Sequence, residues 1–137
     1  MNEGEILEQL FGVYDRYWTI VQWWSSVSFS LIIVAYLAAD RLSKGIVATL
    51  LGLYTLYSVW VGMFMGHNIN IILAIRADLE SLRAAGSLRS QEALIVLQDP
   101  LAVHGAWLGI SAQIATFFAC VGYLLYAVSQ AKKNANT

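Results

Sequence analysis

Apolar positions along this chain gather into three long runs, the first two separated by a short charged cluster and the last two by a longer connection. Residues 17–39 form a run of 23 without Asp, Glu, Lys, Arg or His, residues 45–66 one of 22, and residues 105–131 one of 27. A helix rises about 1.5 Å per residue, so each run can cross a hydrocarbon core of roughly 30 Å. The pattern predicts three transmembrane helices, at 17–39, 45–66 and 105–128, with a tail over 129–137.

The connection between the second and third runs is patterned too. Ile72, Ile75, Leu79 and Leu82 recur at helical spacing, and Arg76, Glu80 and Arg83 fall on a different face, read as solvated. No residue between Gly66 and Ala85 stops a helix, so the second span is expected to continue past the membrane until Gly86 ends it. Ser87 or Ser90 can cap a short second helix carrying Leu94, Ile95 and Leu97. Asp99-Pro100 then reads as an N-cap followed by proline at the first helical position, opening the third long helix. Ahead of the first span, Ile6, Leu7, Leu10, Phe11 and Tyr14 suit an amphipathic helix over 1–16. It is expected to lie in the membrane interface or to pack on the helices of 67–98. The predicted fold is therefore all-α: a polytopic membrane protein with three transmembrane helices, an N-terminal interfacial helix, and an extramembranous helical hairpin over 67–99 between spans two and three.

Composition supports this class. The chain is 58% hydrophobic and 12% charged, against about 25% charged in ordinary globular domains, and its mean hydropathy is +0.61. Such a balance excludes intrinsic disorder. One cysteine excludes an intramolecular disulfide and a four-cysteine zinc site. A net charge of −1 gives no bulk electrostatic attraction to nucleic acid, which is not expected as a partner. Glu3, Glu5 and Glu8 make the N-terminal segment acidic, unlike the basic start of a cleaved leader.

Charge placement suggests an orientation. Each side carries four basic residues: Arg41, Lys44, Lys132 and Lys133 all sit within a few residues of span ends, whereas of Arg16, Arg76, Arg83 and Arg89 on the opposite side the last two are far from one. The expected arrangement is a plasma (inner) membrane protein with its N-terminus outside and C-terminus in the cytoplasm. Tyr14, Tyr17, Trp18, Trp23, Trp24, Trp60 and Trp107 near the outer ends, and Tyr36, Tyr123 and Tyr126 near the inner ends, read as interfacial anchors.

No Asp, Glu, Lys or Arg lies within a span, which argues against proton relays, ion-coupled transport and voltage sensing. Weaker polar and small residues form seams instead. Gln22, Ser26 and Ser30 follow one another at intervals of four on span one. Ser58, Gly62 and Gly66 lie on span two, and Gly105, Gly109, Gln113, Thr116 and Cys120 on span three. In lipid, small residues allow close helix approach and polar side chains bond across helices. These positions are expected to pack helices within or between subunits, with a pore lining by Gln22, Ser26 and Ser30 as the sharper alternative.

His67 and His104, both at outer membrane boundaries, are the candidate ligands for a haem or transition metal, though two imidazoles make a thin site and interfacial anchoring is the simpler reading. Otherwise no cofactor is expected. Cys120 reads as a small apolar filler. No nucleophile elbow, phosphate loop or zinc motif occurs, so no enzymatic activity is expected. Three functions fit. The first is a self-assembling protein or accessory subunit of a membrane complex, partnered by the bilayer and by like or unlike membrane helices. The second is a homo-oligomeric pore or membrane-permeabilising effector. In gross layout, not in motifs, the chain resembles phage holins, although the 38-residue connection at 67–104 is longer than that layout needs. The third is a haem- or metal-binding membrane subunit.

Overall fold

The computed structural model describes the backbone of residues 2–135 and, among these, every side chain except those at 101–103 and 106. Met1 and the last two residues of the tail lie outside the described residues. Four helices follow one another: α1 (Glu3–Ala38), α2 (Lys44–Ala84), α3 (Gln91–Gln98) and α4 (Pro100–Ala135). Three of them are long and apolar enough to cross a membrane. At 36, 41 and 36 residues, α1, α2 and α4 measure about 54, 62 and 54 Å, well beyond the roughly 30 Å that a crossing requires.

The helix ends follow from local chemistry. Asn2 and Glu5 form a reciprocal capping box: the Glu5 N–H donates to Asn2 Oδ1 at 2.9 Å, and the Asn2 N–H donates to Glu5 Oε2 at 2.9 Å. A tight connection over 39–43 joins α1 to α2, where the Ser43 hydroxyl accepts the Ile46 N–H at 3.3 Å. Gly86, with φ +68°, closes α2 in a left-handed conformation that glycine adopts without a Cβ penalty. Around it the Gly86 N–H donates to the Arg83 carbonyl and the Ser87 N–H to the Leu82 carbonyl, both at 3.0 Å. That pair is the Schellman arrangement. Ser90 caps α3 by accepting the Ala93 N–H at 3.2 Å. Pro100 opens α4, where its missing N–H would have had no helical partner.

One boundary differs from the sequence-based expectation. The N-terminal segment and the first span form a single uninterrupted helix, α1, with no break near residue 16. A helix lying flat in the interface needs a bend before it can enter the bilayer. Asp15 and Arg16 mark a change in polarity, but neither residue interrupts the main-chain bonding of a helix.

The chain divides into two compact units. The first comprises the residues through Ile20 with Met63–Ile110, and the second comprises Val21–Gly62 with the residues from Ser111 onward. In the first unit, Ile6, Leu7, Leu10 and Val13 of α1 pack with Ile72, Ile75 and Leu79 of α2 and Ala93 of α3. Tyr14, Leu82, Leu88, Val96 and Leu97 border this cluster. The expected contact between the N-terminal segment and the helices after span two is thus present. In the second unit, Trp24, Ser28, Leu31 and Ala35 of α1, Tyr54 and Val61 of α2, and Gln113, Cys120, Leu124 and Val128 of α4 are buried.

Candidate functional site

The buried face of α1 in the second unit is built on aromatic packing. Trp24 stacks on Tyr54, with centroids 5.2 Å apart and planes at 16°, and on Tyr57, at 6.0 Å and 17°. Tyr54 in turn stacks on Phe117 of α4 at 5.5 Å and 11°. Each such pair contributes about 0.5–1.5 kcal/mol beyond the area it covers. Polar groups sit beside the stack. The Ser28 and Tyr54 hydroxyls are 2.9 Å apart, and Ser28 Oγ also lies 2.9 Å from the Trp24 carbonyl, to which it donates. Cys120 Sγ lies 3.8 Å from the Ser28 carbonyl, a weak contact for a buried thiol. The Trp24 Nε1–H is buried without an acceptor among the described residues.

This arrangement turns two of the expected interfacial aromatics inward. Tyr17 and Trp24 are buried. Trp18, Trp23, Trp60, Trp107, Tyr36 and Tyr126 are exposed.

The polar positions separate into two groups. One makes a seam inside the second unit: Gln113 Nε2 donates to the Ser58 carbonyl at 3.3 Å, and a Cβ on Gly62 would stand 3.8 Å from that same Nε2. Gly62 therefore gives the Gln113 amide room to reach the α2 backbone. Gly66 has open space where its Cβ would be, and Thr116 is half-buried. Gly109, in the first unit, lies under the Tyr17 ring: a Cβ there would meet the Tyr17 hydroxyl and come within 3.2 Å of Tyr17 Cζ.

The second group faces away from the chain's own core. Gln22, Ser26 and Ser30 are exposed, on the side of α1 opposite Trp24 and Ser28. Ser26 Oγ donates to the Gln22 carbonyl at 2.9 Å and Ser30 Oγ to the Ser26 carbonyl at 2.8 Å, so both hydroxyls are satisfied within their own helix. The Gln22 carboxamide has no hydrogen bond among the described residues.

His67 and His104 are both exposed. Among the described residues, no group of three His, Cys, Asp or Glu side chains is placed to hold a metal ion.

Two charged residues in the first unit do work that the sequence pattern did not disclose. Arg76, expected on a solvated face, instead reaches the last turn of α3: Nη1 donates to the Val96 carbonyl at 2.7 Å and Nη2 to the Leu97 carbonyl at 3.2 Å. Its charge also acts on the Tyr14 hydroxyl. Burial pushes that hydroxyl above its ordinary pKa, Arg76 draws it back, and Asp99 adds to the rise. Glu3 joins segments 86 and 87 residues apart: its Oε2 accepts the Arg89 N–H at 3.0 Å and its Oε1 the Ser90 N–H at 2.8 Å.

No known protein family, curated protein or solved structure matches this chain.

Proposed function

We propose that this is a small non-enzymatic membrane protein that works by assembly, pairing with a second copy of itself through the α1 face that carries Gln22, Ser26 and Ser30. Its three long helices cross the plasma (inner) membrane with the N-terminus outside and the C-terminus in the cytoplasm. The segments 3–16 and 67–98 form a helical head beyond the outer surface.

The observation that carries this reading is Gln22. A carboxamide that faces hydrocarbon without a partner is costly. The two serines below it are already satisfied by their own helix, so Gln22 is the group in that row that gains from a neighbour. A carboxamide holds both donor and acceptor, so two copies complete each other across a two-fold axis. Small Ser26 and Ser30 then allow the helices to approach. The reading without catalysis rests on the sequence, which lacks an enzymatic motif.

The test is the particle mass in lipid nanodiscs. Wild-type protein is expected at a multiple of the 15.1 kDa chain. Interhelical polar bonds in lipid contribute about 0.6–2 kcal/mol, so Gln22→Leu is expected to weaken association by roughly three- to thirtyfold. A wild-type monomer across a wide range of protein-to-lipid ratios overturns the proposal. The same exposed face also suits a pore lining. That reading predicts the opposite split, in which Gln22→Leu leaves the mass unchanged and alters ion leakage from loaded vesicles.

A further inference from the structure

We infer that α3 is a detachable strap, held shut at its two ends by opposite charges that other helices supply, and that it opens before the rest of the first unit does. Three observations combine. First, α3 is only eight residues long, too short to persist as a helix on its own side chains. Second, little of it is buried: Ala93 alone is fully covered, Val96 and Leu97 are half-covered, and Leu94 and Ile95 are exposed. A methyl group is the smallest apolar anchor a helix can offer, so packing alone holds α3 weakly.

Third, both ends are gripped by ionised side chains from elsewhere in the chain. At the start, the Glu3 carboxylate accepts the Arg89 and Ser90 N–H groups, one on each oxygen. At the end, the Arg76 guanidinium donates to the Val96 and Leu97 carbonyls. A negative charge at the N-terminus and a positive charge at the C-terminus each complement the helix dipole. Bonds to ionised groups are also stronger than neutral ones. Glu3 belongs to α1 and Arg76 to α2, so the strap stays closed only while those two helices hold their register. Once released, α3 uncovers the apolar cluster around Leu10, Ile75 and Leu79 against which Ala93 packs.

Hydrogen exchange of the full chain in nanodiscs tests this, with Glu3→Gln and Arg76→Gln made separately. Each variant keeps polarity but loses the charge and part of the paired bonding. Each is expected to raise exchange of the amides of residues 91–98 by about tenfold or more. The amides of 6–13 and 72–79 are expected to stay within about twofold of wild type, the mark of a local opening. Unchanged exchange over 91–98 in both variants overturns the inference, because the charges then do not hold the strap. An equal rise across 6–13, 72–79 and 91–98 overturns it too, because α3 then opens only with the whole unit.

Discussion

Replacing Leu79 by alanine is expected to loosen the first unit strongly. Leu79 is fully buried where α1, α2 and α3 meet, in the cluster with Ile6, Leu7, Leu10, Val13, Ile72, Ile75 and Ala93. Truncation removes the transfer energy of the lost carbons and leaves a space that rigid helices fill poorly. Such changes cost about 3 kcal/mol, which corresponds to roughly a hundredfold rise in the open population. Amide exchange over 6–13 and 72–98 reads this directly. Ile95→Ala is the matched control: Ile95 is 65% exposed, and its truncation is expected to stay within about 0.5 kcal/mol. Equal effects at the two positions would mean that the cluster does not stabilise the unit.

The second large effect is expected at Tyr54. Hydrocarbon tails are as apolar as side chains, so helix packing within lipid relies on shape and dispersion rather than on escape from water. Tyr54 is the centre of that packing, stacked between Trp24 and Phe117 and lying within hydrogen-bond distance of Ser28. Tyr54→Ala opens the stack from both sides and is expected to cost about 3 kcal/mol. Tyr54→Phe keeps the ring and loses only the hydroxyl contact, at about 0.6–1 kcal/mol. Ser28 retains the Trp24 carbonyl as acceptor in both variants. The melting temperature in nanodiscs, followed by the fluorescence of the adjacent tryptophans, is expected to fall steeply for the alanine variant and slightly for the phenylalanine variant. Similar losses for both would place the stabilisation in the hydroxyl instead of the stack.

Much of the fold is legible in the residues because it depends on local rules. Charge-free runs locate the long helices. The continuation of α2 past residue 66, its stop at Gly86, the Ser90 cap and the Pro100 start each follow from one or two side chains acting on their own backbone. The junction at residue 16 is a different case. There the hydropathy changes while the helix continues, and hydropathy was a poor guide to helix continuity.

The packing faces were harder to read, for a physical reason. In a soluble helix, polarity separates outside from inside. In a membrane helix both sides are apolar, so the Gln22, Ser26, Ser30 row did not reveal which way it faced. The inward face carries Trp24 and Ser28 instead, chosen by the fit of aromatic rings. Gln113 meets the Ser58 carbonyl beside Gly62, and that meeting depends on the register of α2 and α4. Glu3 and Arg76 were out of reach for another reason: their partners are main-chain groups far along the chain, and a backbone N–H or carbonyl leaves no mark in the sequence.

Labelling of single cysteines by a membrane-impermeant maleimide tests the three-span arrangement most directly. In a Cys120→Ala background, Ser87→Cys reports the loop between α2 and α3, Ser43→Cys the connection between α1 and α2, and Asn134→Cys the end of α4. All three positions are exposed. Ser87→Cys is expected to react in intact cells, while Ser43→Cys and Asn134→Cys are expected to react only after permeabilisation. Reaction of Ser87→Cys and Ser43→Cys from the same side would contradict the crossing of α2, and a reversed pattern would contradict the orientation.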